Sequence, residues 1–195
     1  MKKTFAIIMI IGAVATAAAQ TPVMNVVMKD GTTQSFKVKN ISELNFTEVE
    51  DIPTADEVAG TYTGKNSVTV GGQFTYTADI SVSITANADG TVNFTWPQYS
   101  LSGTVMGNLT LGSYTVSNLA YDKDKGGFYK DYSNDGVTMH FVAENNGTTT
   151  MDKDYELLPT STILVKVTET GISVENPFKL GAMPLPISAS FEGAK

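Results

Sequence analysis

Along much of the chain apolar and polar residues alternate, and this period of two constrains the fold more than any other feature. Ile80, Val82, Ile84 and Ala86 are separated by Ser81, Ser83 and Thr85, and Val92, Phe94 and Trp96 by Asn93 and Thr95. Successive side chains of a strand point to opposite faces, so each run describes a strand with one buried face. Turn sequences punctuate the runs at Ala88-Asp89-Gly90, Asp122 to Gly127, Asn134-Asp135-Gly136 and Asn145-Asn146-Gly147. Further inner faces are Val137, Met139 and Phe141, then Ile163, Val165 and Val167. The last is Ile187, Ala189 and Phe191, after a proline-rich crossing at Pro177, Pro184 and Pro186. The 26 threonines suit pleated sheet, because β-branched side chains lose rotamer freedom in helices. No long helical period occurs. The pattern predicts an all-β chain of eight to ten strands, as an antiparallel barrel or sandwich.

Two stretches carry special expectations. Leu101, Gly103, Val105, Gly107, Leu109 and Leu111 keep one phase over an unusual length, predicting a single long strand whose glycines let it coil within a barrel. Tyr114 and Val116 keep one phase while Leu119 and Tyr121 take the other, which places a bulge or bend at Ser117-Asn118.

The first residues read as export signal. Met1-Lys2-Lys3 is a basic start, Phe5 to Ala15 an apolar run, and Ala17-Ala18-Ala19 a small-residue cleavage site, so residues 1–19 are expected to be removed. The apolar run is too short to be read as a membrane span. With no cysteine, the bacterial kind of lipid attachment is excluded, and the expectation is a soluble, non-lipidated protein of the periplasm or cell exterior. Residues 20–47 follow as a β-hairpin, with Asp30-Gly31 as its tight turn and Ile41, Leu44 and Phe46 beyond its second strand. This resembles a short Lys-Asp-Gly hairpin module at the start of many proteins exported by Gram-negative gut bacteria. A lone hairpin is marginal in water, so it is expected either to pack as a spacer or to offer a strand to a protein partner. Residues 48–55, with Glu48, Glu50, Asp51 and Pro53, read as an acidic linker, and the main domain as 56–195.

Composition excludes several functions. Net charge is −7, falling to −9 without the signal, and all 13 basic residues are lysine. A chain without guanidinium groups or a basic patch is a poor nucleic-acid binder. The exposed phase of the strands is Ser, Thr, Asn and Asp instead of the aliphatic band of an outer-membrane barrel, so the strands are not expected to span a membrane.

Val58-Ala59-Gly60-Thr61-Tyr62-Thr63-Gly64 opens the main domain, and Ser188-Ala189-Ser190-Phe191-Glu192-Gly193 closes it. With the alternating strands between, these resemble the calycin-like β-barrel proteins exported by Gram-negative gut bacteria. The resemblance implies an antiparallel up-and-down barrel of about eight strands, many of whose relatives, lipocalins included, hold a small apolar ligand. Two departures stand out: Tyr62 occupies the place of the lipocalin tryptophan, and no arginine exists to lie over it.

No catalytic or metal constellation stands out in the residues, so the expectation is a non-enzymatic protein with no cofactor. The residues expected to line a small apolar ligand are Tyr62, Tyr76, Phe94, Trp96, Met139 and Phe141; the competing reading makes the same side chains barrel core. The alternative function is a structural or adhesive module acting through protein or glycan contacts. Other motifs have plain explanations. His140, the sole histidine, lies out of phase with Met139 and Phe141 and is expected to face solvent. Asp122-Lys123-Asp124-Lys125-Gly126-Gly127 resembles the start of a calcium loop but lacks its later ligands, leaving a solvated turn and no metal site. Asp152, Asp154 and Glu156 share a strand face, where an acidic sheet edge explains them better than a glycosidase-like pair with Asp131 or Asp135.

Overall fold

The structure is a computed structural model that describes residues 23–27, 31–40, 52–181 and 186–195. The chain divides into two compact units, 1–51 and 52–195.

In the first unit, β1 (Val23–Val27) pairs antiparallel with β2 (Thr33–Lys37), and a 3-10 turn covers Val38–Asn40. Gly31 has φ +83°, the left-handed conformation that an Asp-Gly turn requires. The register puts Met24, Val26, Gln34 and Phe36 on one face, and Val23, Asn25, Val27, Thr33, Ser35 and Lys37 on the other. Val23, Val27, Phe36 and Val38 are exposed. The expectation for Ile41, Leu44 and Phe46 lies outside the described residues, as do those for the signal segment and most of the linker.

The second unit begins with α1 (Ala55–Val58). Thr54 caps it: its hydroxyl accepts from the Glu57 N–H, and the Glu57 carboxylate accepts in return from the Thr54 N–H and hydroxyl. These bonds hold the Glu57 carboxyl below its usual range. Eight strands then close into an antiparallel barrel. They are β3 (Gly60–Val70), β4 (Phe74–Ala86), β5 (Val92–Trp96), β8 (Tyr114–Asp122), β9 (Gly127–Asp131), β12 (Thr162–Val167), β13 (Ile172–Phe178) and β14 (Ile187–Ala194). Closure is made by β14 on β3 and β12 on β9, which removes every open edge from the barrel. Outward threonines and serines pair across strands, as in Thr63–Ser81 at 2.8 Å and Thr95–Thr115 at 2.8 Å. The threonine-rich composition is thus a surface of cross-strand hydroxyl pairs. The bend at Asn118 is present: φ is +61°, and the β5–β8 register shifts between Val92 and Phe94.

The other four strands depart from the sequence reading. The run from Leu101 to Leu111 is not one strand: Gly103 (φ +67°) and Gly107 (φ +92°) frame a turn that divides it into β6 (Tyr99–Thr104) and β7 (Gly107–Leu111). The glycines serve the reversal rather than a coiling strand, since positive φ is costly for other residues. Nor do Met139 and Phe141 belong to a barrel strand. They lie on β10 (Thr138–Asn145), which pairs with β11 (Thr148–Glu156) and with β7, giving a separate sheet in the order β11-β10-β7-β6. The β6–β7 hairpin is inserted between β5 and β8, and the β10–β11 hairpin between β9 and β12. Strand directions place both insertions at the end of the barrel opposite α1. Their inner face, including Tyr99, Leu101, Leu111, Met139 and Phe141, joins the same buried core as the barrel. The second sheet therefore caps the mouth.

Candidate functional site

A ligand-holding barrel needs an interior with room in it, and the side chains at the centre of this one are closely covered among the described residues. Phe94, Trp96, Val116, Val82 and Val165 are 0% exposed and Phe191 1%. Side chains this covered leave no neighbouring void that a water-sized sphere could enter. Phe94 packs edge-on to Trp96 with ring centres 5.2 Å apart; Tyr114 stacks against Trp96 at 6.3 Å, and Phe191 meets it edge-on at 6.3 Å.

At the centre of this packing stands Asn176 on β13, in phase with Ile172, Val174 and Phe178 and fully buried. One carboxamide orientation satisfies every neighbour. Its oxygen accepts from the Tyr114 hydroxyl at 2.5 Å and from Trp96 Nε1 at 3.0 Å, while its nitrogen donates to the Tyr132 hydroxyl at 2.6 Å and the Thr162 carbonyl at 2.8 Å. One amide thus fixes three large aromatics from three strand ends. Burial drives the Tyr114 and Tyr132 phenols well above their ordinary pKa, and the Asn176 bond only partly offsets this.

Asn66 on β3 is the opposite case. It too is fully buried, but neither carboxamide atom makes a hydrogen bond of acceptable geometry. The hydroxyl of Tyr99, on β6, lies close enough to interact with it. Burial pushes that phenol up to about 12, with Asn66 exerting a smaller pull in the other direction. The remaining buried polar side chains, Thr104, Ser133 and Ser161, are all bonded to backbone.

The α1 end is closed by a pair that the sequence reading missed. The Tyr62 hydroxyl donates to the Val58 carbonyl at 2.7 Å. Lys195 Nζ lies 5.4 Å from the Tyr62 ring centre and donates to the Glu57 carbonyl at 2.9 Å. A lysine over a tyrosine therefore takes the place of the arginine and tryptophan whose absence the sequence showed. Gly60 makes room, since a Cβ there would sit 2.9 Å from Lys195 Cε.

The six residues expected at a ligand site fall in three places. Phe94 and Trp96 are central core, Tyr62 belongs to the closed end, and Met139 and Phe141 are buried in the inner face of the cap. Tyr76 is half-buried near the cap, its hydroxyl accepting from the Val105 N–H at 3.1 Å. All six belong to, or pack against, one core. A groove of about 420 Å³ does open on the α1 end, lined by Thr168, Thr170, Ile172, Ser173, Glu192, Gly193 and Ala194. Its lining lacks aromatic side chains.

The remaining candidates are surface features. His140 is exposed, its Nδ1 2.7 Å from Asp154 and its Nε2 3.2 Å from Asp152. In the Asp122 turn the Lys125 ammonium pairs with the Asp122 carboxylate at 2.8 Å and lowers its pKa. Asp135 pairs with Lys130 at 2.8 Å, and Asp131 accepts from the Ser133 N–H at 3.0 Å. Among the described residues no three His, Asp or Glu side chains converge as a metal site would require, and no helix is long and apolar enough to cross a membrane.

A barrel of eight antiparallel strands, entered from a short helix and sealed by an aromatic–cation pair, defines a class of protein. A family model for the calycin-like β-barrel domain matches residues 58–194, and the chain belongs to that family. Among solved structures it is similar to "a putative outer membrane protein" from Bacteroides fragilis, at 22% identity and a TM-score of 0.48, with 89% of this chain and 66% of that one covered. This chain thus spans just under two thirds of that protein. No curated protein matches.

Proposed function

We propose that the protein is an exported, non-enzymatic calycin-like barrel that acts through its outer surfaces, as a structural or adhesive module of the periplasm or cell exterior. The observation that carries this reading is the packed interior: with Asn176 holding Trp96, Tyr114 and Tyr132 together, the core is built as a scaffold. The surface best suited to a protein partner is the β1–β2 hairpin, whose Val27 and Phe36 are exposed; two strands alone are marginally stable, so a partner would stabilise it. The test is affinity capture from the envelope of the producing cell, comparing the mature protein with its Val27→Lys/Phe36→Lys variant. Loss of captured proteins in the variant is expected, and an unchanged set would sink the hairpin's role.

A second reading is favoured by one observation, the unbonded carboxamide of Asn66 beneath the cap. Displacement of the cap would give a small apolar molecule with one polar group access to Asn66, to Phe94 and Trp96 below it, and to Met139, Phe141 and Tyr76 around it. Tyr62 would then form the floor. Isothermal titration with decanoic acid tests this reading, and the absence of heat at saturating concentration counts against it.

A further inference from the structure

We infer that the hairpin of one copy pairs with the outer edge of the cap sheet of a second copy, β2 lying against β11. The inference rests on the surface-contact reading above and names its partner.

Among the described residues β11 has a strand on one side only, β10, so it is the edge of a four-stranded sheet. At its end the outer side meets Lys179–Gly181, with the Gly181 N–H donating to the Glu156 carbonyl, so the stretch from Thr148 to Asp154, which has no proline, is the template for another strand. Its two faces differ. Asp152, Asp154 and Glu156 lie on the face of His140, while Met151 and Tyr155 extend the inner face that Met139 and Phe141 begin, with Lys153 between them and its ammonium over the Tyr155 ring. On β2 itself Gln34 and Phe36 lie on one face, and Thr33, Ser35 and Lys37 on the other. With β2 placed beside β11, Phe36 lies next to Met151, and Lys37 meets the Asp152 and Asp154 carboxylates.

Charge selects this pairing over its competitors. The segment 23–40 carries Lys29, Lys37 and Lys39 against Asp30, a net +2; the segment 138–156 carries Glu144, Asp152, Asp154 and Glu156 against Lys153, a net −3. Two β11 edges repel one another, as do two hairpins, whereas a β2–β11 contact is attractive. Because the two surfaces differ, the contact is head-to-tail and continues from copy to copy unless it closes into a ring.

The experiment is sedimentation velocity on the mature full chain over a concentration series, at low and at 0.5 M salt. Dimers and larger species are expected to grow with concentration and to be weakened by salt. Lys37→Glu alone and Asp152→Lys/Asp154→Lys alone should each weaken association about tenfold or more, and mixing the two variants should restore it by exchanging the charges. A protein that stays monomeric to about 1 mM, or an assembly indifferent to both variants, overturns the inference. If that happens while Val27→Lys/Phe36→Lys still abolishes capture of envelope proteins, only the identity of the partner falls.

Discussion

Replacing Asn176 with alanine removes the oxygen that accepts from Tyr114 and Trp96 and the nitrogen that donates to Tyr132 and Thr162. Trp96, Tyr114 and Tyr132 are all at least nine-tenths buried, so water cannot take over these bonds without opening the core. A buried group left without its partner costs about 1–3 kcal/mol. Tyr132 keeps a weaker neighbour in Ser161, so the full penalty falls on Trp96 Nε1 and the Tyr114 hydroxyl. With the small void left by the amide, the expected loss is about 3–6 kcal/mol, a large part of the ~5–15 kcal/mol typical of a domain. At about 2–4 °C per kcal/mol for a chain of this size, Tm should fall by about 6–24 °C. Urea unfolding followed by tryptophan fluorescence is the assay, because Trp96 is the only tryptophan and itself donates to Asn176. A loss below about 1 kcal/mol with unchanged folded-state emission would refute the view that this amide organises the core.

Asn66 should behave in the opposite way. Asn66→Val exchanges an unbonded buried amide for an apolar side chain and should raise stability by about 1 kcal/mol in the same urea assay, whereas a decrease would show that the amide is satisfied. Alkaline titration probes the buried phenols. Their folded-state pKa lies above the unfolded value near 10, so the stability they contribute is complete below pH 10 and declines as pH rises toward about 12, where Tyr99 ionises. Tyr99, Tyr114 and Tyr132 should be missing from the reversible absorbance change near pH 10 and appear only on unfolding; their reversible titration there in the folded protein would contradict their burial. At the closed end, Tyr62→Phe removes the bond to the Val58 carbonyl and should cost about 1 kcal/mol. Lys195→Met keeps most of the stem over the ring but loses the charge, and should cost less than about 1 kcal/mol by the same unfolding assay.

The barrel was legible because its signal is local. Alternation at Ile80–Ala86 and Val92–Trp96 and the phase change at Asn118 became the features they predicted. What alternation cannot encode is which sheet a strand joins. Met139 and Phe141 have the phase of buried residues whether they face a barrel or a cap, and their pairing with β7 is a long-range fact. Gly103 and Gly107 misled for a related reason, because a tight turn two residues long preserves the phase on either side. The Tyr62–Lys195 pair joins the two ends of the domain, with 138 residues between Glu57 and Lys195, and no local pattern announces it. Asn176 and Asn66 did leave a trace. Each is a polar residue on the apolar phase of its strand, and either reading of such a residue, a satisfied hub or an unbonded amide, requires knowing what lies across the barrel.

The central claim is that the barrel is a filled scaffold and not a container. Native mass spectrometry of the mature protein, after incubation with a mixture of fatty acids and envelope lipid extract and removal of excess, tests it most directly. The account predicts the bare mass of the polypeptide, with Trp96 fluorescence unchanged by the incubation. A one-to-one small-molecule adduct that survives buffer exchange and shifts Trp96 emission would contradict it.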